Sequence, residues 1–449
     1  MVGLKQSVFA ENIIYVNETT FPDKALREEV LKQWDKVKPD DFDDDEEDTD
    51  DDYYYDNNEN CNSKVEEGVQ IDADLIRYFS VDSHENKSKI TNLKGIELLT
   101  KLESLTIHDY IGGKIDLSKN TELDRVCIYS KKYALSPNDF AFLKKLTDLA
   151  IGGKVVSNFD CSKLKNLTDL SINSTSGIKR LDISKCHKFR FLQVNTDSLA
   201  SVNLGKSSKF ECIYIENAKK LSSINVSKLT NLRFLSVRNC DINKIDVSKN
   251  KKLEQLWLNG NKKIKSLNVK NNTCLDFIHI GYTAISKLDT SKLKKLNRLE
   301  VYNTKISSLN LKRNTKLSYL DVSNTPLKTL DIKNNKKIRN IKIVGSKIKS
   351  LNLKNQKALY DVICSYGQKI AYPSKVIENS CWISIEGVKK GSSITVPSIC
   401  KGYKFSADKE YSLKYKNNKI ITSKKTKKKY AYGNFTKGNK QVFINIKYK

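Results

Sequence analysis

Ile245-Asp246-Val247-Ser248-Lys249-Asn250-Lys251-Lys252-Leu253-Glu254-Gln255-Leu256-Trp257-Leu258 is one copy of a phrase that the chain repeats between residues 178 and 364. Its opening, an apolar residue and then Asp or Asn, returns at Leu181-Asp182-Ile183, Val202-Asn203-Leu204, Ile224-Asn225-Val226 and Leu267-Asn268-Val269. It continues at Leu288-Asp289-Thr290, Leu309-Asn310-Leu311, Leu330-Asp331-Ile332 and Leu351-Asn352-Leu353, with a spacing of 21 or 22 residues throughout. Counted forward from each Asp or Asn, apolar residues recur at offsets of seven, ten and twelve, as in Leu253, Leu256 and Leu258, or Leu317, Leu320 and Val322.

This is the L-x-x-L-x-L frame of a leucine-rich repeat. The pair at offsets ten and twelve points inward from a short strand, and the apolar residues around the Asp or Asn point inward from the opposite wall. One coil alone therefore has an apolar stripe and no core, and only stacking closes it. The expected fold is a repeat solenoid, a leucine-rich repeat right-handed parallel β-rich solenoid with a helical N-terminal cap and a small C-terminal β domain. Terminal caps follow from the physics, because an end coil would otherwise show its core to water.

The 21-residue period and the phrase from Lys244 to Asn250 with Leu253 and Leu256 resemble the internalin-like repeats of Gram-positive bacterial surface proteins. Gly95-Ile96-Glu97 followed by Leu99-Thr100-Lys101-Leu102 is similar to the opening of such arrays, so the resemblance covers roughly residues 90 to 365. It implies the fold and leaves the ligand open. The family's offset-fifteen position, usually Asn or Cys, is Asn261 and Cys240 here but Thr283, Thr304, Thr325 and Ser346 elsewhere, which argues against a continuous Asn ladder at that position.

The composition is 39% hydrophobic and the net charge is +28. Up to Asp74 the acidic residues outnumber the basic ones 23 to 7, and beyond it the balance reverses to 29 against 73. A basic body of this kind attracts anionic partners, and the acidic arm can dock on it. No apolar run approaches a membrane span, so no transmembrane segment is expected. Cys127, Cys161, Cys186, Cys212, Cys240 and Cys274 fall at different offsets and form no ladder; Cys381 and Cys400 are the one pair to test as a disulfide.

Three regions are expected. Residues 1–89 form an N-terminal helical cap with a disordered acidic loop at about 38–66, residues 90–365 the solenoid, and residues 366–449 the small β-rich capping domain. Phe21 to Trp34 carries a helical apolar pattern with Pro22 near its start. In similar proteins a Phe-Pro-Asp helix leads through a calcium-loop-like turn to a second helix, which the resemblance places at residues 71–79. Residues 40–52 are mostly Asp and Glu and are followed by Tyr53-Tyr54-Tyr55. A solvated acidic loop is the plain reading and loose calcium binding the alternative, since Leu75 or Asp74 stands where a ligating Glu belongs. Val8-Phe9-Ala10 before Glu11 has the small residues of a signal cleavage site but no apolar core ahead of it. A secreted or cell-surface location with an incomplete signal peptide is expected, against an ordinary frayed end.

Side chains at offsets nine, eleven and thirteen point out of the strands onto the concave face. Read coil by coil they are Phe191, Tyr214, Phe234, Trp257, Phe277 with His279, Tyr302 and Tyr319, with Arg125, Tyr129, Arg238, Arg298 and Glu300 beside them. The ligand-binding residues expected are therefore Phe191, Tyr214, Phe234, Arg238, Trp257, Phe277, His279, Arg298, Tyr302 and Tyr319. A line of exposed aromatics with Arg is interface chemistry; the plainer reading is that parallel strands favour aromatics that half-cover one another. The partner is a protein or glycan, with anionic cell-wall polymers as the alternative held by exposed Lys residues such as Lys249, Lys251, Lys252, Lys262 and Lys263. Residues 424–429 form the densest basic cluster, read as a solvated hairpin. Nucleic acid fits poorly, because the charge is spread over many turns without a recognition helix. His84, His108, His187 and His279 lie on different elements with no H-E-x-x-H spacing, and no Gly-x-Ser-x-Gly appears. Neither an enzyme nor a cofactor is expected.

Overall fold

The computed structural model describes residues 12–39, 68–81, 89–373, 380–407 and 409–449. The acidic run at 40–52, the cleavage-like Val8-Phe9-Ala10 and His84 lie outside the described residues. The chain divides into two compact units, Met1–Ser207 and Ser208–Lys449.

In the first unit a strand, Ile13–Val16, runs antiparallel to Val69–Asp72, and the expected helix is present as Lys24–Val37. Its apolar positions Leu26, Val30 and Trp34 recur at helical spacing and are buried. Asp23 caps it: one carboxylate oxygen accepts the Leu26 N–H at 3.0 Å, and the other accepts the Thr91 N–H and hydroxyl, both at 2.6 Å, and the Asn92 N–H at 3.1 Å. Burial pushes this carboxyl up, but the hydrogen bonds outweigh it and its pKa is lowered. One side chain thus starts the helix and ties it to the segment that opens the repeats. Gly95, at φ +103°, lies so close to the Phe21 ring that a Cβ would collide with it.

The second helix implied at 71–79 does not form. Residues 69–72 are a strand, Ala73–Leu75 is a single 3-10 turn in which the Asp72 side chain accepts the Asp74 N–H, and Tyr78–Val81 is again a strand. The reason is the period: Phe79 and Val81 are buried while Tyr78 and Ser80 face out, an alternation that suits a strand. Tyr78–Val81 is the first of a parallel series with Ser104–Tyr110, Arg125–Leu135, Asp148–Val155, Asp169–Ser176 and Phe191–Asn195. On the opposite wall Asn158–Asp160, Arg180–Asp182 and Ser201–Asn203 pair in parallel.

The second unit continues the same construction from Cys212–Glu216 through Phe234–Arg238, Gln255–Trp257, Phe277–His279, Arg298–Glu300, Tyr319–Asp321, Asn340–Lys342 and Asp361–Ser365. Ile213, Leu235, Leu256, Ile278, Leu299, Leu320, Ile341 and Val362 stand opposite one another in register, and all have 0% exposure. Stacking proceeds past Cys364, where the repeated phrase ends. Asp361 pairs with Trp382, 21 residues on, and Ser380–Val388 pairs in parallel with Lys440–Tyr448. Antiparallel Tyr430–Lys437 and Lys404–Ala407 extend that sheet, while Ser393–Thr395, Lys419–Ile421 and Lys414–Lys416 make a second small one. The basic cluster at 424–429 is therefore a link between two sheets and no hairpin. Cys381 and Cys400 are free, buried thiols, each pushed up to about 12 by burial; they form no disulfide.

A ladder of buried amides does exist, at a position the repeat reading did not single out. Four residues after the Asp or Asn, Asn250 donates to the carbonyls of Val226 (2.9 Å) and Leu229 (2.7 Å), and Asn272 to those of Val247 and Asn250. Asn314 donates to Thr290 and Leu293, and Asn335 to Leu311 and Asn314. Each amide satisfies buried carbonyls of the preceding coil, which would otherwise lose water without replacement. At offset fifteen Asn261 reaches back to Val237 and the Cys240 thiol to Ile215, while Thr283, Thr304, Thr325 and Ser346 bond a carbonyl three residues earlier in their own coil.

Asn250→Ala strips two buried carbonyls of their donor and is expected to cost about 2 to 4 kcal/mol. Leu256→Ala is expected to cost about 2 to 5 kcal/mol as a large-to-small core change. Denaturant unfolding measures both, and a loss under about 1 kcal/mol for Leu256→Ala would place that residue outside the core.

Candidate functional site

Because side chains alternate along a strand, the register that stacks Leu256 on Ile278 also lines up two outward rows in the second unit. One runs Phe234, Gln255, Phe277, Arg298, Tyr319, Asn340, Asp361; the other Tyr214, Ser236, Trp257, His279, Glu300, Asp321, Lys342. Neighbours about 4.8 Å apart are forced into ring contact. Tyr214 stacks on Phe234 at 4.4 Å, and Trp257 meets Phe277 edge-on at 4.4 Å and His279 at 5.4 Å. The Arg238 guanidinium lies 5.4 Å from the centre of the Trp257 ring. That of Arg298 lies 5.1 Å from the centre of the Phe277 ring and 4.0 Å from that of Tyr319.

The structure thus brings nine of the ten sequence-predicted residues onto one face. Phe191 belongs to the first unit, in a row with Arg125, Asp148 and Asp169, where the outward face is mainly polar. Of the nine, Tyr214, Phe234, Arg238, Trp257, Tyr302 and Tyr319 are half-buried and Arg298 is exposed. Phe277 and His279 differ from expectation: they are 8% and 7% exposed, covered by the side chains that lean over them from the adjoining strands. Cys212 stands opposite Phe234 at the start of the first row, and Lys249, Lys251, Lys252, Lys262 and Lys263 are exposed.

His279 is the polar centre of the patch. Its Nε2 lies 2.9 Å from the Tyr302 hydroxyl and 3.8 Å from a Glu300 oxygen, while Arg298 donates to the other Glu300 oxygen at 2.6 Å. Tyr302 can lie there because Gly281 has no Cβ; one would stand 2.8 Å from the ring. Burial, and then the positive fields of Arg238 and Arg298, lower the His279 pKa to about 4, so the ring is neutral at pH 7. Asp321, beside Glu300, is raised by burial first and by Glu300 only weakly; the Tyr302 hydroxyl is raised to about 12, again by burial. Four polar atoms in this patch are buried without a hydrogen-bond partner in the protein: Ser236 Oγ, Arg238 Nε, Trp257 Nε1 and His279 Nδ1. Unmade bonds of this kind cost about 1 to 3 kcal/mol each, which is tolerable where a ligand can supply them.

Sequence reading missed Tyr282. Its place in the coil is left-handed through the repeats of the second unit, filled by Asn217, Asn239, Gly260, Asn303, Asn324 and Gly345, and a Tyr at φ +57° is the one bulky occupant among them. It is 51% exposed and meets Tyr302 edge-on at 5.4 Å. A bulky residue at positive φ is strained backbone, and here it stands beside the aromatic patch. The available signal was an aromatic where the other coils have Asn or Gly. Ser236, Asp321 and Lys342 were also missed, because their positions carry no shared residue type. This face presents aromatic rings, two guanidinium groups and a buried carboxylate row.

Comparison with solved structures agrees with the construction. The functional domain of InlJ from Listeria monocytogenes, which includes a cysteine ladder, matches with a TM-score of 0.57 and 18% identity over 99% of this chain and 100% of that one. The internalin InlF of the same organism matches at 0.43 and 16% over 78% of this chain and 86% of that one. A leucine-rich repeat protein of Leptospira interrogans matches at 0.42 and 17%, over 65% and 90%. The fold is that of an internalin-like leucine-rich repeat protein. No protein-family model and no curated protein matches the chain.

The depressed His279 pKa has a signed consequence. Between pH 6.5 and 4 the unfolded ring binds a proton that the folded ring does not, so its share of stability is complete above pH 6.5 and is lost as pH falls toward 4. That share is on the order of 3 kcal/mol. Denaturant unfolding at pH 7 and 4.5 should show a steeper decline for the parent than for His279→Gln, and a His279 resonance titrating near pH 6.5 would contradict the burial.

Proposed function

We propose that this chain is an exported or surface-associated bacterial leucine-rich repeat protein that binds a protein or glycan partner through the aromatic-lined concave face of its strands, with no chemistry of its own. The observation that carries the reading is the run of half-exposed rings and guanidinium groups from Tyr214 to Tyr319 with unpaired buried polar atoms among them. Tyr, Trp and Arg in this kind of setting dominate interface energetics. No helix among the described residues is long and apolar enough to cross a membrane. The likeness to InlJ supports the reading at the level of fold alone. The three regions 1–89, 90–365 and 366–449 are part of the same proposal, as cap, recognition array and closing β region.

Trp257 is the central test. Its ring contacts Phe234, Phe277 and His279, so Trp257→Ala is expected to cost about 1 to 2 kcal/mol of folding stability. Binding should weaken about thirtyfold or more, near 2 kcal/mol. The partner is found by screening the full chain against host proteins, glycans and wall polymers, and the affinity is followed by titration. A variant that stays folded and binds as tightly as the parent would overturn the reading.

A second reading has its own observation. The exposed Lys residues of the turns give the net charge of +28 an outward position, as needed for a structural or wall-associating protein held to anionic polymers. Such binding should fall steeply between 0.1 M and 1 M salt, where the Debye length shrinks from about 10 to 3 Å, while contact through the aromatic face should change little. Salt-insensitive affinity for an anionic wall polymer would exclude the charge mechanism.

A further inference from the structure

The outward rows do not end with the repeated phrase. In the C-terminal strands Trp382, Phe443, Asn434 and Ser406 stand opposite one another, and Ser384, Asn445 and Tyr432 form the adjoining row. Trp382 and Phe443 stack face to face at 4.1 Å with their planes 15° apart, so each ring keeps only its edge and one outer face clear of the other. Tyr411 and Tyr432, edge-on at 5.2 Å, border the same cleft, whose volume is ≈ 580 Å³. Ligand sites commonly enclose about 300 to 1,000 Å³.

We infer that this cleft is a second binding site, for a neutral saccharide. The lining decides the class. In a chain that is 29% charged, the described lining residues are Trp382, Tyr411, Tyr432, Phe443, the amides Asn434 and Asn445, and small residues, with no charge among them. An ionic ligand would find no counter-charge there. A wholly apolar one would leave the Asn434 carboxamide oxygen, which lacks a partner in the protein, unsatisfied. A pyranose meets both demands: its C–H face lies against an electron-rich ring face left outside the Trp382–Phe443 stack, and its hydroxyls, each donor and acceptor, match carboxamides that are the same. Turning the Asn434 amide about its soft last torsion presents that oxygen to a hydroxyl and breaks none of the oxygen's bonds. The site is separate from the Trp257 patch, being six strand steps along the sheet, roughly 29 Å.

The test uses the full chain on an array of neutral, sialylated and sulfated oligosaccharides, followed by titration of the best neutral binder. Tyr432 is 43% exposed, so Tyr432→Ala should melt like the parent, and Asn434→Ala provides an independent second change. Binding of a neutral oligosaccharide, weakened at least tenfold by either variant, unchanged by Trp257→Ala and insensitive to salt, is the expected result. The inference is overturned if no neutral saccharide binds, if only acidic ones do, if both variants bind like the parent, or if a Trp-containing peptide displaces the sugar more strongly than free sugar does. Loss in Trp257→Ala with retention in Tyr432→Ala would move glycan binding to the central patch and also overturn it. Failure here leaves the central patch untouched, since that reading rests on the rings and guanidinium groups from Tyr214 to Tyr319 and is tested by Trp257→Ala.

Discussion

The structure depends on one requirement: each coil must close both its apolar stripe and its buried carbonyls against the next coil. The apolar half is met by rows such as Leu235, Leu256, Ile278 and Leu299, stacked in register with no exposure. The polar half is met by Asn250, Asn272, Asn314 and Asn335, whose amides span two carbonyls of the coil before. A hydroxyl has one proton and a short reach, which is why Thr283, Thr304 and Thr325 bond within their own coil while Asn261 bridges two.

The same stacking governs the outward face. Side chains brought within a strand spacing of one another must share contact, so large rings there become partly buried and polar neighbours lose water. His279 is held neutral between two arginines, Glu300 is clasped by Arg298, and Asp321 is raised by burial. Charge repulsion among lysines is relieved by placing them in the turns, where water screens them. The face is consequently uneven: aromatic about Trp257, charged from Glu300 to Asp361, and aromatic again at Trp382 and Phe443.

Two departures from sequence-based expectation have the same origin. Residues 71–79 were expected as a helix from a resemblance, yet Phe79 and Val81 alternate with exposed neighbours and join the parallel sheet. Beyond Cys364 the Asp or Asn phrase is gone, although Val362 and Ile383 still stack in register. In both places local pairing with a neighbouring strand outweighed the signal, or the lack of one, in the linear pattern.

Sequence alone determined the period, the inward residues and the class of fold, because a 21- or 22-residue repeat has one way to bury its leucines: by stacking. It also identified most of the outward rings, since alternation along a strand assigns their side. Tertiary structure decided how those rings share the surface. Phe277 and His279 became covered and Tyr282 exposed, because cover comes from the adjoining strands and the left-handed turn, which lie a full repeat or a backbone angle away from any local pattern. Trp382 and Phe443, 61 residues apart, form one stacked pair only because their strands are neighbours in the sheet, a pairing that no spacing in the chain encodes.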